Sequence, residues 1–201
     1  VGGDLETSEL GDIHGVDNVL SVNFEGWSID MRPWLEEHPD TALVDRTMAE
    51  SDRYVCPVLL LTDAAKHAQD RLRSMIAERQ PDYVTWDFES NVMTGYLSCF
   101  CPRCMAQFRE HAGLGADVAL DPETIERDHM EAWTEFMTLR MAQVGAMLKE
   151  ACHTAQPPVL LDIQLGVYLR HPWRQGELVV ASGDVYLDFD VTGVRADRGE
   201  V

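Results

Sequence analysis

The chain has 201 residues, 45 % of them hydrophobic, enough for a sizeable core and too many for wholesale disorder. Sixteen Lys and Arg stand against 35 Asp and Glu, a net charge of −19, which argues against a nucleic acid or an anionic membrane surface as partner. No apolar run approaches the roughly 20 residues of a membrane span, and five cysteines, three of them within six residues, look less like a disulfide framework than a metal site.

The N-terminus Val1-Gly2-Gly3-Asp4-Leu5-Glu6 is polar and acidic, unlike a signal peptide. A start on Val reads as a piece of something longer. After about 15 loop-like residues, Val19 to Phe24 alternates like a strand and exits into Glu25-Gly26-Trp27. A loop carries Pro33-Trp34 and His38-Pro39, and residues 41–61 are mixed. Asp63 opens a predicted helix over Ala64 to Glu78, with Ala64, Ala68, Leu72, Met75 and Ile76 at helical spacing. Tyr83 to Glu89 reads as a strand and Pro102 to His111 as a helix. Asp121-Pro122-Glu123 starts a helix that runs unbroken to about Thr154. Val159 to Leu165 is a strand, Gly176 to Ala181 a short helix and Asp184 to Asp190 a last strand.

Strands alternating with helices indicate a parallel sheet in an α/β fold. Glu25, Asp87, Glu89, Asp162, Gln164, Asp188 and Asp190 sit at or near strand exits. No Gly-rich phosphate loop is present, so the expectation is a (β/α)8 TIM barrel, whose carboxyl edge carries the active site. Such barrels typically need about 250 residues. Residues 1–201 are therefore expected to be one partial barrel domain, with a Cys-rich loop at about 54–57 and 99–104.

Cys99-Phe100-Cys101-Pro102-Arg103-Cys104 reads C-x-C-x-x-C. Three soft ligands this close select zinc or an iron–sulfur cluster. Cys56, before a proline, is the expected fourth ligand, and a four-Cys site has no open position, so the metal is structural. The alternative is three reduced cysteines that only pack. Cys152 reads as a buried thiol.

Pro33-Trp34-Leu35, His38-Pro39, Tyr54-Val55-Cys56-Pro57, Trp86 to Glu89 and the Cys cluster with Phe108-Arg109 resemble family 42 glycoside hydrolases. The resemblance covers roughly residues 27–190 and its most specific part is the cysteine pattern. It implies a zinc-containing (β/α)8 barrel of the β-galactosidase type, a retaining mechanism, a homo-oligomer and a carbohydrate substrate. It also implies Glu89 as general acid/base, although Phe88 stands where the family has Asn. The family's nucleophile comes from a seventh strand, whereas this chain ends on what reads as the sixth. Asp87-x-Glu89 also resembles the tail of the D-x-D-x-E motif of chitinase-like family 18 enzymes, incomplete because residue 85 is Thr. Either way a carboxylic acid must stay protonated near neutral pH beside a second carboxylate, and positions 87 and 89 share one strand face. The bland alternative for both is a solvated strand end or a satisfied inward polar group.

Candidates for substrate contact are Asp162, Asp188 and Asp190, with barrel packing as the alternative for Asp162. Trp27, Trp86 and Trp173 are candidate sugar-stacking platforms, with core packing as the alternative. Trp133 reads as packing, and His38 and His171 as surface. A catalytically inactive barrel that binds carbohydrate or a partner protein is the rival from another class, favoured by Phe88. Reduced cysteines on zinc suit the cytoplasm.

Overall fold

The computed structural model describes residues 18–24, 28–88, 92–165 and 185–188, with backbone alone for 87–88, 164–165 and 185–188. Strands β1 (Val19–Val22), β4 (Tyr83–Phe88), β5 (Leu160–Leu165) and β6 (Val185–Asp188) form a parallel sheet in that order. Strands β2 (Ala42–Val44) and β3 (Glu50–Val55) form a separate antiparallel hairpin. The helices are α1 (Arg32–Glu37), α2 (Pro57–Leu60), α3 (Ala65–Arg79), α4 (Pro102–His111), α5 (Pro122–Asp128) and α6 (Met130–Thr154).

This corrects the barrel expectation. Closure requires the last strand to pair with the first, but among the described residues β1 and β6 are opposite edges of an open sheet. The chain is mixed α/β, with an antiparallel hairpin standing outside the parallel sheet. Strand–helix alternation is common to open and closed parallel sheets, so the pattern that suggested a barrel did not distinguish them.

The sheet has two unlike faces because side chains alternate along a strand. On one face Leu20, Val22, Val84, Trp86, Leu161 and Ile163 are buried, and they join Leu72 and Ile76 of α3 and Val144 and Leu148 of α6 in one apolar cluster. Each such side chain, fully buried, contributes roughly 1.5–3 kcal/mol. The other face carries Val19 and Leu160, both exposed, and then a row of Ser21, Thr85 and Asp162 in register.

Helix α3 falls within one residue of its expected bounds and ends on Gln80, which takes the left-handed conformation at φ 49°. The single helix expected from 122 to 154 is two. Asp121 caps α5 by accepting the Thr124 N–H at 2.8 Å, and the chain breaks at His129 before α6 begins. Aromatic contacts lock α4 to α6: Trp133 stacks on Phe100 at 5.2 Å and meets Phe108 edge-on at 4.9 Å. Among the described residues, no helix is long and apolar enough to cross a membrane. The short helix expected over 176–181 lies outside the described residues.

Candidate functional site

Two places in this fold concentrate chemistry. The first is a pocket between the hairpin and α4. Cys56 follows β3 and precedes α2, Cys99 and Cys101 lie on the loop into α4, and Cys104 is in its first turn. Pro102 can open α4 because its missing N–H is one that a first turn leaves unpaired anyway. Backbone hydrogen bonds bring the segments together: Cys56 N–H donates to Thr41 O at 2.7 Å, and Phe100 N–H to Val44 O at 2.8 Å. Arg103 Nη1 donates to Asp40 O at 3.2 Å.

The result is a group of four fully buried thiols whose Sγ atoms all lie within 4.8 Å of one another. Cys56 Sγ is 3.5 Å from both Cys101 Sγ and Cys104 Sγ, far beyond the about 2.05 Å of a disulfide. A tetrahedral ion with bonds of about 2.3 Å needs sulfurs roughly 3.8 Å apart. The donor set therefore fits one tetrahedral thiophilic ion, and the four cysteines are a group that could hold a metal. Leu43, Val44, Val58, Leu59 and Met105 surround it as a small apolar cluster of its own.

The electrostatics of the pocket point the same way. Hydrogen bonds from Cys104, Cys56 and Cys99 pull the Cys101 thiol far below its usual range. Cys99 and Cys104 are pushed up, chiefly by their hydrogen bonds to Cys101. Four thiols this close resist ionising together without a cation among them. Val44 N–H donates to Cys99 Sγ at 3.4 Å, and the N-terminus of α4 directs its dipole at Cys101 and Cys104.

The second place is the sheet. Thr85 Oγ1 donates to Asp162 Oδ2 at 2.9 Å, while the buried Asp162 Oδ1 has no partner among the described residues. Burial pushes the carboxyl up to about 6, against the opposing pull of the Thr85 hydroxyl and the Ile163 amide. Further along, the register runs Phe88–Leu165–Asp188, so the carboxyl ends of β4, β5 and β6 share one edge.

The remaining expected site residues fall as follows. Trp86 is fully buried and its indole N–H donates to Tyr96 Oη at 2.9 Å, so its ring lies in the core. Trp133 is buried packing, as expected, and Cys152 is a buried thiol outside the cysteine cluster. Asp87 and Asp188 have strand backbone at the shared edge. Glu89, Trp27, Trp173 and Asp190 lie outside the described residues. Sequence reading missed Arg140, which reaches the pocket from α6. Its signal, an Arg one turn after Phe136 on an otherwise apolar helix face, becomes visible only once α4 is known to pack there.

No family model matches the chain, and no curated protein matches it. Among solved structures it is similar to alpha-L-fucosidase isoenzyme 2 from Paenibacillus thiaminolyticus, at 16 % identity and a TM-score of 0.46, over 80 % of this chain and 22 % of that one. The chain thus spans about a fifth of that protein's length. Fold and site define a mixed α/β protein with a buried four-cysteine centre.

Proposed function

We propose that this chain is a zinc-stabilised glycoside hydrolase unit whose reaction takes place at the carboxyl edge of its parallel sheet. Cys56, Cys99, Cys101 and Cys104 hold the zinc. Four thiolates leave no open coordination position, so the ion ties the hairpin to α4 and takes no part in the chemistry. A reducing compartment such as the cytoplasm keeps such thiols available.

The observation that carries the catalytic reading is the strand register. It brings the exits of β4, β5 and β6 to one edge, and ligands of parallel sheets bind at the carboxyl ends of their strands. Asp87 and Asp188 have strand backbone at that edge, and Glu89 is the next residue after Phe88 in the sequence. Glu89 protonates the glycosidic oxygen as the C–O bond breaks, water replaces the leaving group at the anomeric carbon, and Asp87 of β4 modulates the acid. The sequence resemblance to family 42 supports a β-galactosidase-type substrate, and the Asp87-x-Glu89 spacing supports an N-acetylated sugar as the alternative.

The test is Glu89→Gln in the full chain, assayed on aryl β-galactosides and aryl N-acetyl-glucosaminides. Loss of about 10²–10⁴ in kcat with zinc content unchanged is the expected result. Hydrolysis unaltered by the substitution, or no hydrolysis of either class by the zinc-loaded wild type, overturns the assignment. Sugar binding without turnover would instead favour the non-catalytic, carbohydrate-binding reading.

A further inference from the structure

Arg140 stands on α6, buried to 2 % exposure. Its Nη1 is 3.5 Å from Cys104 Sγ, its Nη2 donates to Gln107 Oε1 at 3.3 Å, and its Cζ lies 4.4 Å over the Phe136 ring. Among the described residues no carboxylate lies within ion-pair distance of it. A buried guanidinium without an anion is costly. Gln107 and Phe136 supply a dipole and a ring quadrupole, neither of which is a counter-charge. Among the described residues, the Cys104 sulfur is the group beside the guanidinium that can carry negative charge.

The charge balance at the pocket is complementary. Loading a divalent ion onto four thiols releases four protons and leaves a group of net charge about −2, sealed in an apolar cluster. One fixed positive charge at hydrogen-bond distance offsets about half of that. We infer that Arg140 is a positioning residue of the metal centre: it donates an N–H to the Cys104 thiolate, favours the metal-loaded state and lowers the reactivity of that sulfur. The inference rests on the metal reading proposed above. Phe136 and Gln107 hold the guanidinium plane against the sulfur, so the fork geometry matters as well as the charge.

The experiment compares wild type, Arg140→Met, Arg140→Lys and the core truncation Val144→Ala on the same helix. Each full-length chain is loaded with zinc, quantified by metal analysis and competed against a chelator. Arg140→Met should lose about 10–100-fold in zinc affinity, the range for removing a group that supports a ligand. Arg140→Lys should lose less, and Val144→Ala should match wild type. Alkylation of the zinc-loaded protein by iodoacetamide should be faster in Arg140→Met. A merely structural role would not move the thiolate-to-metal charge-transfer band of the cobalt-loaded chain. That band should shift to lower energy in Arg140→Met and stay in place in Val144→Ala, because a thiolate freed of its donor is a stronger electron donor.

Failures separate cleanly. A wild type that binds no zinc overturns the metal reading and this inference with it. A wild type with one zinc per chain, beside an Arg140→Met of equal affinity and unshifted cobalt band, overturns the role of Arg140 alone. Should Arg140→Met fail to fold, the cadmium-113-loaded wild type still decides. Scalar coupling between an Arg140 Hη proton and the metal is expected, and its absence from a chain holding one cadmium overturns the inference.

Discussion

The four cysteines and Asp162 are equally hidden from water, yet their surroundings differ in kind. Around the cysteines, the Val44 amide, the N-terminus of α4 and the Arg140 guanidinium all bring positive charge or N–H donors to sulfur. Around Asp162 the Thr85 hydroxyl and the Ile163 amide do not offset burial, and one carboxyl oxygen has no hydrogen-bond partner among the described residues. The first surroundings favour negative charge, while the second oppose it. The first is a buried pocket that the proposed reading makes a structural device. The second is a carboxyl kept at a cost on a polar sheet face, and whether it serves the proposed reaction is what Asp162→Asn tests.

The comparison breaks most visibly if the cysteine pocket contributes nothing to stability. In the proposed zinc reading, Cys56→Ser removes the ligand that joins the hairpin to α4. Loss of bound metal and of stability on the order of 4–5 kcal/mol is expected, since metal-site loss belongs to the large-effect class of substitutions. Cys152→Ser is the control. It places a hydroxyl in the core, away from the cluster, and should cost about 1–3 kcal/mol while keeping one metal per chain. Metal analysis and thermal melts with and without chelator measure both. Equal melting of Cys56→Ser and wild type in the presence of zinc would remove the structural role.

Asp162 gives the opposite sign. Its folded pKa of about 6 lies above its ordinary value of 3.8, so between these pH values the folded chain binds more protons than the unfolded one. Stability is therefore fullest below about pH 4 from this group and falls as pH rises to 6 and beyond, by up to about 2–3 kcal/mol. Asp162→Asn keeps an acceptor for Thr85 and abolishes the titration. The variant should match wild type at pH 4 and exceed it by up to about 2 kcal/mol at pH 8 in denaturant melts. A stabilised chain that has also lost hydrolysis would mark Asp162 as retained for function. A variant less stable than wild type at pH 8 would show instead that the ionised carboxyl is satisfied.

What could be read in advance follows from how local the cause is. The C-x-C-x-x-C run is local, and so is the Cys-Pro turn that supplies Cys56, which is why the grouping of these four cysteines was legible. The β1, β4, β5 and α3 segments carry their own periodicity. The hairpin does not: β3 is mostly exposed and polar, and its turn is made by Asp45, whose Oδ1 accepts from the Thr47 and Ala49 amides, with Met48 rather than Gly or Asn at φ 64°. The break at His129 has no Pro or Gly to announce it. Sheet closure and Arg140 depend on which elements meet in space, which no short window of sequence contains. Of the sheet-edge candidates, Asp87 and Asp188 have strand backbone at that edge, Asp162 lies three residues inside it, and Glu89 and Asp190 lie outside the described residues.

The smallest expected effect lies at the seam between the cysteine region and the rest. Arg46, in the hairpin turn, pairs with Glu126 of α5 at 2.8 Å, both side chains being 40 % or more exposed. Exposed pairs of this kind are worth about 0–1 kcal/mol and weaken with salt. Arg46→Ala should therefore shift the denaturant midpoint slightly at low salt and not at all at about 1 M salt, with metal content unchanged. A larger or salt-independent loss would mean that the hairpin is held to the helices through its tip. Its anchorage would then not come from Cys56, the Thr41 and Val44 backbone contacts and the sulfur cluster, and the division between a self-sufficient metal pocket and a separate polar sheet would have to be redrawn.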